Sequence, residues 1–557
     1  MLRWKLLVAG LLLWGSSASL QAEDESPLAS FSSDAAVAIR LAAPEKTIGQ
    51  VADLVNAIQP GAGEQIRQQA GAIGLLISNP TLTGVDQKED WYLIIFAEAE
   101  SPPTAVFAIP ATDAKALAEA LPENLESRID GDWVYYTDKN QGLPDELGDK
   151  DESIEDAMSE EADKLFFAGD LAIYVNVADL VETYKEQLEQ AEAQGKAAIE
   201  RLPDQLGPQG EQMKPVVAMY TALLEQFVAA VGDSEELTIS LKADKTGLVI
   251  EDYGLFAEDS DTAKALATHP TSKMAFLSNL PPSSVAYIGV SADLQKLVKW
   301  GMQYNKELLN DDSKKAALDK AVEAMKGIAF SGLGNSFDIG ESQSGLLKSV
   351  AVVEVAPIST VKPQMRAITK SLGTIEAPGL KQETTLKEDA ETISGTKVDI
   401  VTIKQEMDDP NAAMLQTAMF GPDGMVSRIA YLDKAYIQTM GGGKGAMEAA
   451  LKTYKGTASS TPATTFQATL LPMSNLTWMV DLPTLALRGA KVAGDFGAQL
   501  PFDASELDGL KVTPSFMGGA IAIEKSAIRA KFSLPVENAR NIAKLVMFGI
   551  QKQQEGQ

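Results

Sequence analysis

Two eleven-residue segments decide the fold: Asp170-Leu-Ala-Ile-Tyr-Val-Asn-Val-Ala-Asp-Leu180 and Ser284-Val-Ala-Tyr-Ile-Gly-Val-Ser-Ala-Asp-Leu294. They align almost residue for residue, and in each a run of β-branched and aromatic residues leads into a helix-capping residue and an apolar helical periodicity. We therefore predict a short strand that continues directly into a helix, which we call the opening unit. Two further copies are Asp34-Ala-Ala-Val-Ala-Ile-Arg-Leu41 and Asn475-Leu-Thr-Trp-Met-Val-Asp-Leu-Pro-Thr-Leu485. The four strands are predicted at residues 37–41, 171–177, 285–290 and 476–480.

A second segment also recurs four times, as a β-hairpin followed by an amphipathic helix, which we call the closing unit. Each hairpin is followed by a proline or by acidic and helix-capping residues, which begin the next helix. Proline suits the first helical turn because it lacks an N–H that would have no partner there, and the helix dipole favours acidic residues at the same place. The predicted strand pairs are 91–97 with 105–109, 237–241 with 248–256, 332–339 with 350–355, and 520–523 with 527–534.

The units follow one another as opening, closing, opening, closing, twice over, which indicates two related halves at residues 23–269 and 270–557. Strand-rich inserts are predicted after the first closing unit of each half, and helical hairpins are inserted at 179–231 and 291–328. The expected fold class is α+β: duplicated antiparallel-sheet units with helices packed on one face, plus the inserted helical hairpins.

Three segments resemble a family of exported bacterial repeat proteins that carry a domain of unknown function. They are the segment that begins at Ser284, the segment Phe107-Ala-Ile-Pro-Ala-Thr-Asp-Ala-Lys-Ala-Leu117, and the strand Asp130-Gly-Asp-Trp-Val-Tyr-Tyr136. The motifs that carry the resemblance are structural. It implies an exported protein built from repeated α/β units, and it supplies no catalytic residues.

The first 22 residues predict a secretory signal peptide. Arg3 and Lys5 form a positive start, an apolar run of nine residues follows, and small residues lead to a cleavage position after Ala22 or Ala18. The apolar run is shorter than the roughly 20 residues that span a bilayer. We expect an exported protein, periplasmic or extracellular, with no membrane span.

Composition excludes several classes of chemistry. The 557 residues, enough for two to four domains, contain no Cys and one His, with 48 Lys and Arg against 77 Asp and Glu, a formal charge of −29. Without Cys there are no disulfides, thiolate metal sites or Cys nucleophiles. The acidic balance argues against nucleic acid as a partner, because binding needs basic side chains along the phosphates.

An acidic stretch offers weak candidates for a calcium site. Calcium prefers clustered hard oxygen ligands, and Asp138, Asn140, Asp145 and Glu146 supply them. The spacing lacks the regular pattern of a calcium-binding loop. The alternative is a solvated acidic loop, because blocks of like charge repel one another and stay hydrated.

A glycine-rich turn is a weak candidate for anion binding. Gly441, Gly443, Lys444 and Gly445 lie between a predicted strand at 435–440 and a predicted helix at 447–454. Backbone N–H groups at such a turn, the helix dipole and the lysine together suit a phosphate or carboxylate. The residues match neither established phosphate-loop pattern, and a flexible turn is the alternative.

His269 stands before a proline in the joint between the two halves. A catalytic triad would need this histidine held by a buried carboxylate and aimed at a serine, and the sequence has no nucleophile-elbow motif, so we expect a linker histidine.

These observations favour an exported, acidic, non-enzymatic binding or scaffold protein of the cell envelope, with protein or polysaccharide as partner and no cofactor. Two alternatives stay open. One is a hydrolase that uses paired carboxylates in a cleft between the halves, since 77 acidic residues always include some suitable pair. The other is an extracellular structural protein stabilised by calcium.

Overall fold

The computed structural model describes most of the chain beyond the predicted signal peptide. The described residues are 26–99, 101–144, 153–205, 210–292, 315–316, 318–320, 323, 327–340, 345–377, 379–456, 461–495, 502 and 504–555. They form a protein of mixed helix and sheet in which all paired strands run antiparallel. The chain divides into two compact units, Met1–Thr268 with Ile523–Arg540 and His269–Ala522 with Asn541–Gln557. A short C-terminal stretch therefore belongs to the first unit.

The first unit contains a sheet whose strands pair in the order β4-β5-β3-β2-β1-β6-β7-β8-β19. Its central pair is β1 and β6, two of the predicted opening strands. The strands are β1 Ala35–Leu41, β2 Trp91–Phe96, β3 Thr104–Pro110, β4 Leu125–Asp130, β5 Trp133–Asp138, β6 Leu171–Asn176, β7 Ser234–Asp244, β8 Gly247–Phe256 and β19 Ala527–Pro535.

The second unit contains a sheet in the order β12-β13-β14-β15-β16-β11-β10-β9-β17-β18. The two remaining opening strands, β9 and β17, are again neighbours. The strands are β9 Ala286–Val290, β10 Ala329–Ile339, β11 Leu347–Ala356, β12 Thr374–Ala377, β13 Leu380–Ile393, β14 Thr396–Met407, β15 Met425–Tyr431, β16 Ala435–Met440, β17 Leu476–Val480 and β18 Met517–Glu524.

Helices of very different lengths connect these strands. In chain order the α-helices are α1 Pro44–Ile58, α2 Ala62–Gln68, α3 Ala114–Ala120, α4 Ile154–Ala157, α5 Glu160–Ala168, α6 Val177–Thr183, α7 Lys185–Glu200, α8 Leu202–Gln205, α9 Gly210–Gly232, α10 Asp261–Leu266, α11 Ile358–Leu372, α12 Pro410–Phe420, α13 Gly443–Lys455, α14 Pro462–Gln467, α15 Leu482–Asp495 and α16 Val536–Glu555. In the described part of the chain, none is both long and apolar enough to cross a membrane.

The predicted strand positions are confirmed. All four opening strands are present within two residues of their predicted bounds, and α1, α6 and α15 follow three of them. Residues 293–314, which follow the remaining opening strand β9, lie outside the described part. Three closing hairpins are present as paired strands, and the two strands predicted for the fourth, β18 and β19, are present; helices α3, α10, α11 and α16 follow. Pro357 and Pro535 stand directly before α11 and α16, whereas α3 and α10 begin after the N-cap residues Asp113 and Ser260.

Each unit has its own apolar core. In the first unit, alternate residues of the sheet and the inward face of α5 enclose side chains such as Tyr174 and Phe166, both at most 2% exposed. In the second unit, α13 contributes Met447 and Leu451 to a cluster with Val352 and Ile437 of the sheet. This pattern follows from the period of two along a strand and of 3.6 along a helix.

Candidate functional site

A cavity of about 350 Å³ lies in the second unit beside helix α11, and three of its six lining residues are cations. Helix α11 has two faces. Val361, Met365 and Ile368 pack with the apolar residues of β10 and β11, whereas Lys362, Arg366 and Lys370 recur every four residues on the other face. That spacing places the three cations one above another along the helix. The cavity is lined by these three cations, Pro363, Ala367 and one carboxylate, Glu388 of β13.

Arg366 is the centre of the site. Its Nε donates to Asp399 Oδ2 at 2.7 Å and its Nη2 to Asp399 Oδ1 at 2.5 Å, a two-pronged pair on strand β14. The same guanidinium donates to Glu388 at 2.7 Å and to Asp389 at 2.9 Å. Asp399 is 1% exposed, so in the folded protein the guanidinium of Arg366 replaces water as the partner of this carboxylate. A bidentate pair of this kind combines charge with a fixed geometry, and it holds α11 against the β13–β14 hairpin.

A bulge in β13 brings the second carboxylate to the site. The register between β13 and β14 shifts between Lys387 and Glu391, and Asp389 within the shift has φ 46°. Its backbone N–H donates to Asp399 Oδ1 at 2.7 Å. Such a bulge redirects a side chain at the cost of local ladder bonds. Here it turns the Asp389 carboxylate toward Arg366.

Two lysines complete the site and remain partly open to solvent. Lys362 donates to Asp389 at 3.1 Å and lies 5.5 Å from the ring centre of Tyr431. Lys370 pairs with Glu388 at 2.5 Å, with its side chain 60% exposed. The hydrogen bond from Lys362, with the further bond from Arg366, lowers the pKa of Asp389 below its usual value. The carboxylate is therefore ionised at neutral pH, and the site combines fixed cationic donors with a fixed anionic acceptor.

In the first unit the structure contains an unusual buried carboxyl group, Asp170, immediately before β6. It is 2% exposed, and its Oδ2 accepts no hydrogen bond from any described residue. Burial raises the pKa of Asp170 to about 7, and Asp244 adds to the rise while Lys242, Arg40 and Lys46 oppose it. Arg40 does not pair with it, because its guanidinium is bound to Asp90 at 2.6 Å and to backbone carbonyls near the end of α5.

The calcium candidates are only partly described. Asp138 Oδ1 accepts from the backbone N–H of Asn140 at 2.9 Å and from its side-chain amide at 2.7 Å. These bonds close a turn and lower the pKa of Asp138. Asp145 and Glu146 lie outside the described residues. Within the described ranges, no group of three or more carboxylate or imidazole side chains is placed to hold a metal ion.

The glycine-rich turn differs from its prediction in one respect. Helix α13 begins at Gly443 rather than at 447, so Gly443, Lys444 and Gly445 form its first turn, and Gly442 is an N-cap without a side chain to bind the free N–H groups. Gly441 has φ 71°, and a Cβ there would overlap the carbonyl of Leu347. Gly441, Gly442 and Gly443 all have positive φ and so have a structural reason in backbone geometry, whereas Gly445 does not, and Lys444 is exposed.

The hydrogen bond described for His269 is made by its backbone carbonyl, and its side chain is not paired with a described nucleophile. Its carbonyl accepts a hydrogen bond from the side-chain amide of Asn475 at 3.0 Å, and Pro270 and Ser291 provide two further carbonyls to the same amide, each at 3.2 Å. The Nδ1 atom of His269 is buried without a hydrogen-bond partner among the described residues.

Sequence reasoning missed the Arg366 site. The four-residue spacing of Lys362, Arg366 and Lys370 was a usable signal, because it predicts one cationic helix face. Their partners follow 18 to 33 residues later on two strands, one of them bulged, and no sequence spacing predicts that approach.

Comparisons with known proteins supply no family. No family model matches the chain, and no curated protein matches it. One solved structure, titled "Structure of crystal form III of TP0453", aligns with 48% of this chain and 97% of its own, at 10% identity and a TM-score of 0.20. A score that low carries no argument about fold or function.

Proposed function

We propose that this protein is an exported, acidic, non-enzymatic binding protein of the cell envelope, and that it holds a hydroxyl-rich polysaccharide at the cavity beside α11. One observation carries the proposal: cationic donors and a carboxylate acceptor are fixed by ion pairs around an open cavity. Sugar hydroxyls both donate and accept hydrogen bonds, so a site with both kinds of group in place suits them. Fixed groups lose little conformational freedom on binding.

The electrostatics of the site favour binding over hydrolysis. A general acid needs a carboxyl whose pKa is raised so that it keeps its proton near neutral pH. Asp389, which is bound to two of the cavity's cations, has a lowered pKa instead, because Lys362 and Arg366 stabilise its charge. The carboxylate-based hydrolase remains the alternative, and the glycan experiment below includes an outcome that would favour it.

We also propose that the two units are duplicated copies of one scaffold. The first unit has the strand order β4-β5-β3-β2-β1-β6-β7, and the second has β15-β16-β11-β10-β9-β17-β18 in the equivalent places. Each strand thus has the same neighbours and the same place in chain order as its counterpart. The second unit extends this order with β12, β13 and β14, which provide the carboxylates of the Arg366 site.

Backbone hydrogen bonds at corresponding positions support the duplication. In the first unit, Asp170 precedes β6, its N–H donates to Leu241 of β7 at 3.0 Å, and its carbonyl accepts from Ala42 at 2.8 Å. In the second unit, the residue before β17 donates to β18 at 2.7 Å and accepts at 2.8 Å from Ser291, the residue after β9. That residue is Asn475. The duplication therefore places a carboxylic acid and an amide at equivalent sites.

A glycan-binding experiment tests the proposed function. The mature protein is applied to a panel of immobilised neutral oligosaccharides, with DNA and heparin as polyanion controls at physiological salt. We expect retention of a neutral member, and about a tenfold loss of affinity in Lys370→Ala, because a hydrogen bond to a charged group contributes about 1.5 kcal/mol or more. Lys115→Ala is the matched control, since Lys115 of α3 is also an exposed lysine paired with a glutamate.

The outcomes separate the alternatives. Retention on heparin or DNA alone would overturn the proposal, because the binding would then follow charge rather than hydroxyl recognition. Retention that is equal in Lys370→Ala and Lys115→Ala would place the ligand elsewhere. Slow release of reducing sugar from a retained glycan would favour the hydrolase. A calcium-dependent shift of the melting temperature would support the calcium-stabilised alternative.

A further inference from the structure

The helical insertion between β6 and β7 exposes an apolar stripe that the fold of the first unit does not use. The insertion comprises α6, α7, α8 and α9. Helices α7 and α9 contact one another where Gly195 lies against Leu224: a Cβ at Gly195 would lie 2.9 Å from that leucine. Lys196 reinforces the contact by pairing with Glu192 of its own helix at 2.8 Å and with Glu225 of α9 at 2.9 Å.

The stripe lies on another face of α9. Tyr220, Leu223 and Phe227 are 50%, 52% and 66% exposed. Their spacing of three and four residues aligns them within about 60° of the helix circumference, over about 10 Å of its length. Leu224 points about 70° and Glu225 about 170° away from the centre of the stripe, and both side chains lie against residues of α7. Three large apolar side chains aligned in this way are typical of a helix that another helix covers.

The net charge of the helical insertion indicates which kind of molecule covers the stripe. Residues 177–232 contain nine Asp and Glu against four Lys and Arg, and the whole chain has a formal charge of −29. A second copy would bring an equally acidic hairpin against this one, and an anionic bilayer would also be repelled. A partner with apolar residues on one face and Lys or Arg beside them matches both the stripe and the net negative charge of the insertion. We propose that the α7–α9 hairpin docks a basic amphipathic helix of a partner protein.

A peptide-binding measurement tests this proposal on the mature full-length protein. The probe is a fluorescein-labelled 18-residue Leu/Lys peptide with leucine at helical spacing, followed by fluorescence anisotropy. A scrambled Leu/Lys peptide keeps the charge and loses the stripe, and a Leu/Glu peptide keeps the stripe and reverses the charge. We expect the helical Leu/Lys peptide to bind at least about tenfold more tightly than either, because both apolar contact and charge complementarity are needed.

Two matched double variants locate the binding. Leu223→Ser with Phe227→Ser removes the stripe, and we expect at least about a tenfold loss of affinity for the helical Leu/Lys peptide, as for truncated interface anchors. Met414→Ser with Leu415→Ser removes an apolar pair of α12 that is 65% and 63% exposed, and affinity should change less than about twofold. All four side chains are exposed, so melting temperature and circular dichroism should match the wild type.

Two results would overturn the proposal. One is equal affinity in the wild type and in Leu223→Ser with Phe227→Ser, or an equal loss in both double variants, which would show that the peptide does not use the stripe. The other is stripe-dependent binding to phosphatidylcholine vesicles with no preference among the three peptides, which would make α9 a lipid-contacting helix. Neither result bears on the polysaccharide cavity, which lies on different elements.

Discussion

Replacing Asp170 by asparagine should stabilise the protein, and should do so more strongly as pH rises. Burial raises the pKa of Asp170 to about 7 in the folded protein, against 3.8 for an ordinary aspartate. The folded state therefore holds a proton between pH 4 and 7 that the unfolded state has lost. The contribution of Asp170 to the free energy of unfolding is most favourable below about pH 4, where the carboxyl is protonated in both states. It falls as the pH rises toward 7. Above pH 7 the folded state carries the full cost of a buried charge.

The magnitude follows from the two pKa values. Their difference corresponds to about 4 kcal/mol of destabilisation above pH 7, and about 1.5 kcal/mol of it is already present at pH 5. Asparagine carries no charge at either pH. The advantage of Asp170→Asn over the wild type should therefore grow by about 2–3 kcal/mol between pH 5 and pH 8. Asn475, which the proposed duplication places opposite Asp170, precedes strand β17 as an amide and donates to three carbonyls.

The assay is urea unfolding at pH 5, 6, 7 and 8, with hydrogen exchange in peptides from β6 and β7 to locate the change in the first unit. Asp132→Asn is the control, because Asp132 is exposed in the turn between β4 and β5 and its loss makes the same change in net charge. Identical pH profiles for Asp170→Asn and the wild type would refute the reasoning. So would an equal gain in the control, since the effect would then come from net charge.

Three further predictions concern the second unit and the N-terminus. Arg366→Ala should destabilise the second unit by about 3–5 kcal/mol in urea unfolding, because the carboxylate of Asp399 stays buried without its partner; a loss below about 1 kcal/mol would mean that the pair is not a structural lock. Gly441→Ala should lower the melting temperature, because Gly441 has φ 71° and a Cβ there would overlap a strand carbonyl. Gly445→Ala should raise the free energy of unfolding by about 0.5–1 kcal/mol, because Gly445 lies in the first turn of α13 with open space around its Cβ position. N-terminal sequencing of the protein from an envelope fraction should find a start after Ala22 or Ala18, and a start at the first methionine would contradict export by this signal.

Local sequence determined the elements of this fold. The opening strands follow from β-branched and aromatic runs such as Leu171–Asn176, and prolines such as Pro357 locate helix starts, because both signals depend on backbone sterics within a few residues. The segments at Asp170 and Ser284, identical at four of 11 positions, predicted two strands of the same kind, and both strands are present. Sheet and helix content could therefore be predicted without the tertiary structure.

Only the tertiary structure decided which charges meet. Arg366 binds Asp399, which is 33 residues away in the chain, and Asp389, which a bulge in β13 brings close. Such contacts depend on strand register and on a local irregularity, and neither can be read from the spacing of residues in the sequence. Burial is decided in the same way. Asp170 and Asn475 are both polar residues ahead of a strand, yet the acid is left with an oxygen that accepts no hydrogen bond from the described residues, while the amide is bound to three carbonyls. The cost of a buried charge depends on the groups that folding brings around it, and those groups come from distant parts of the chain.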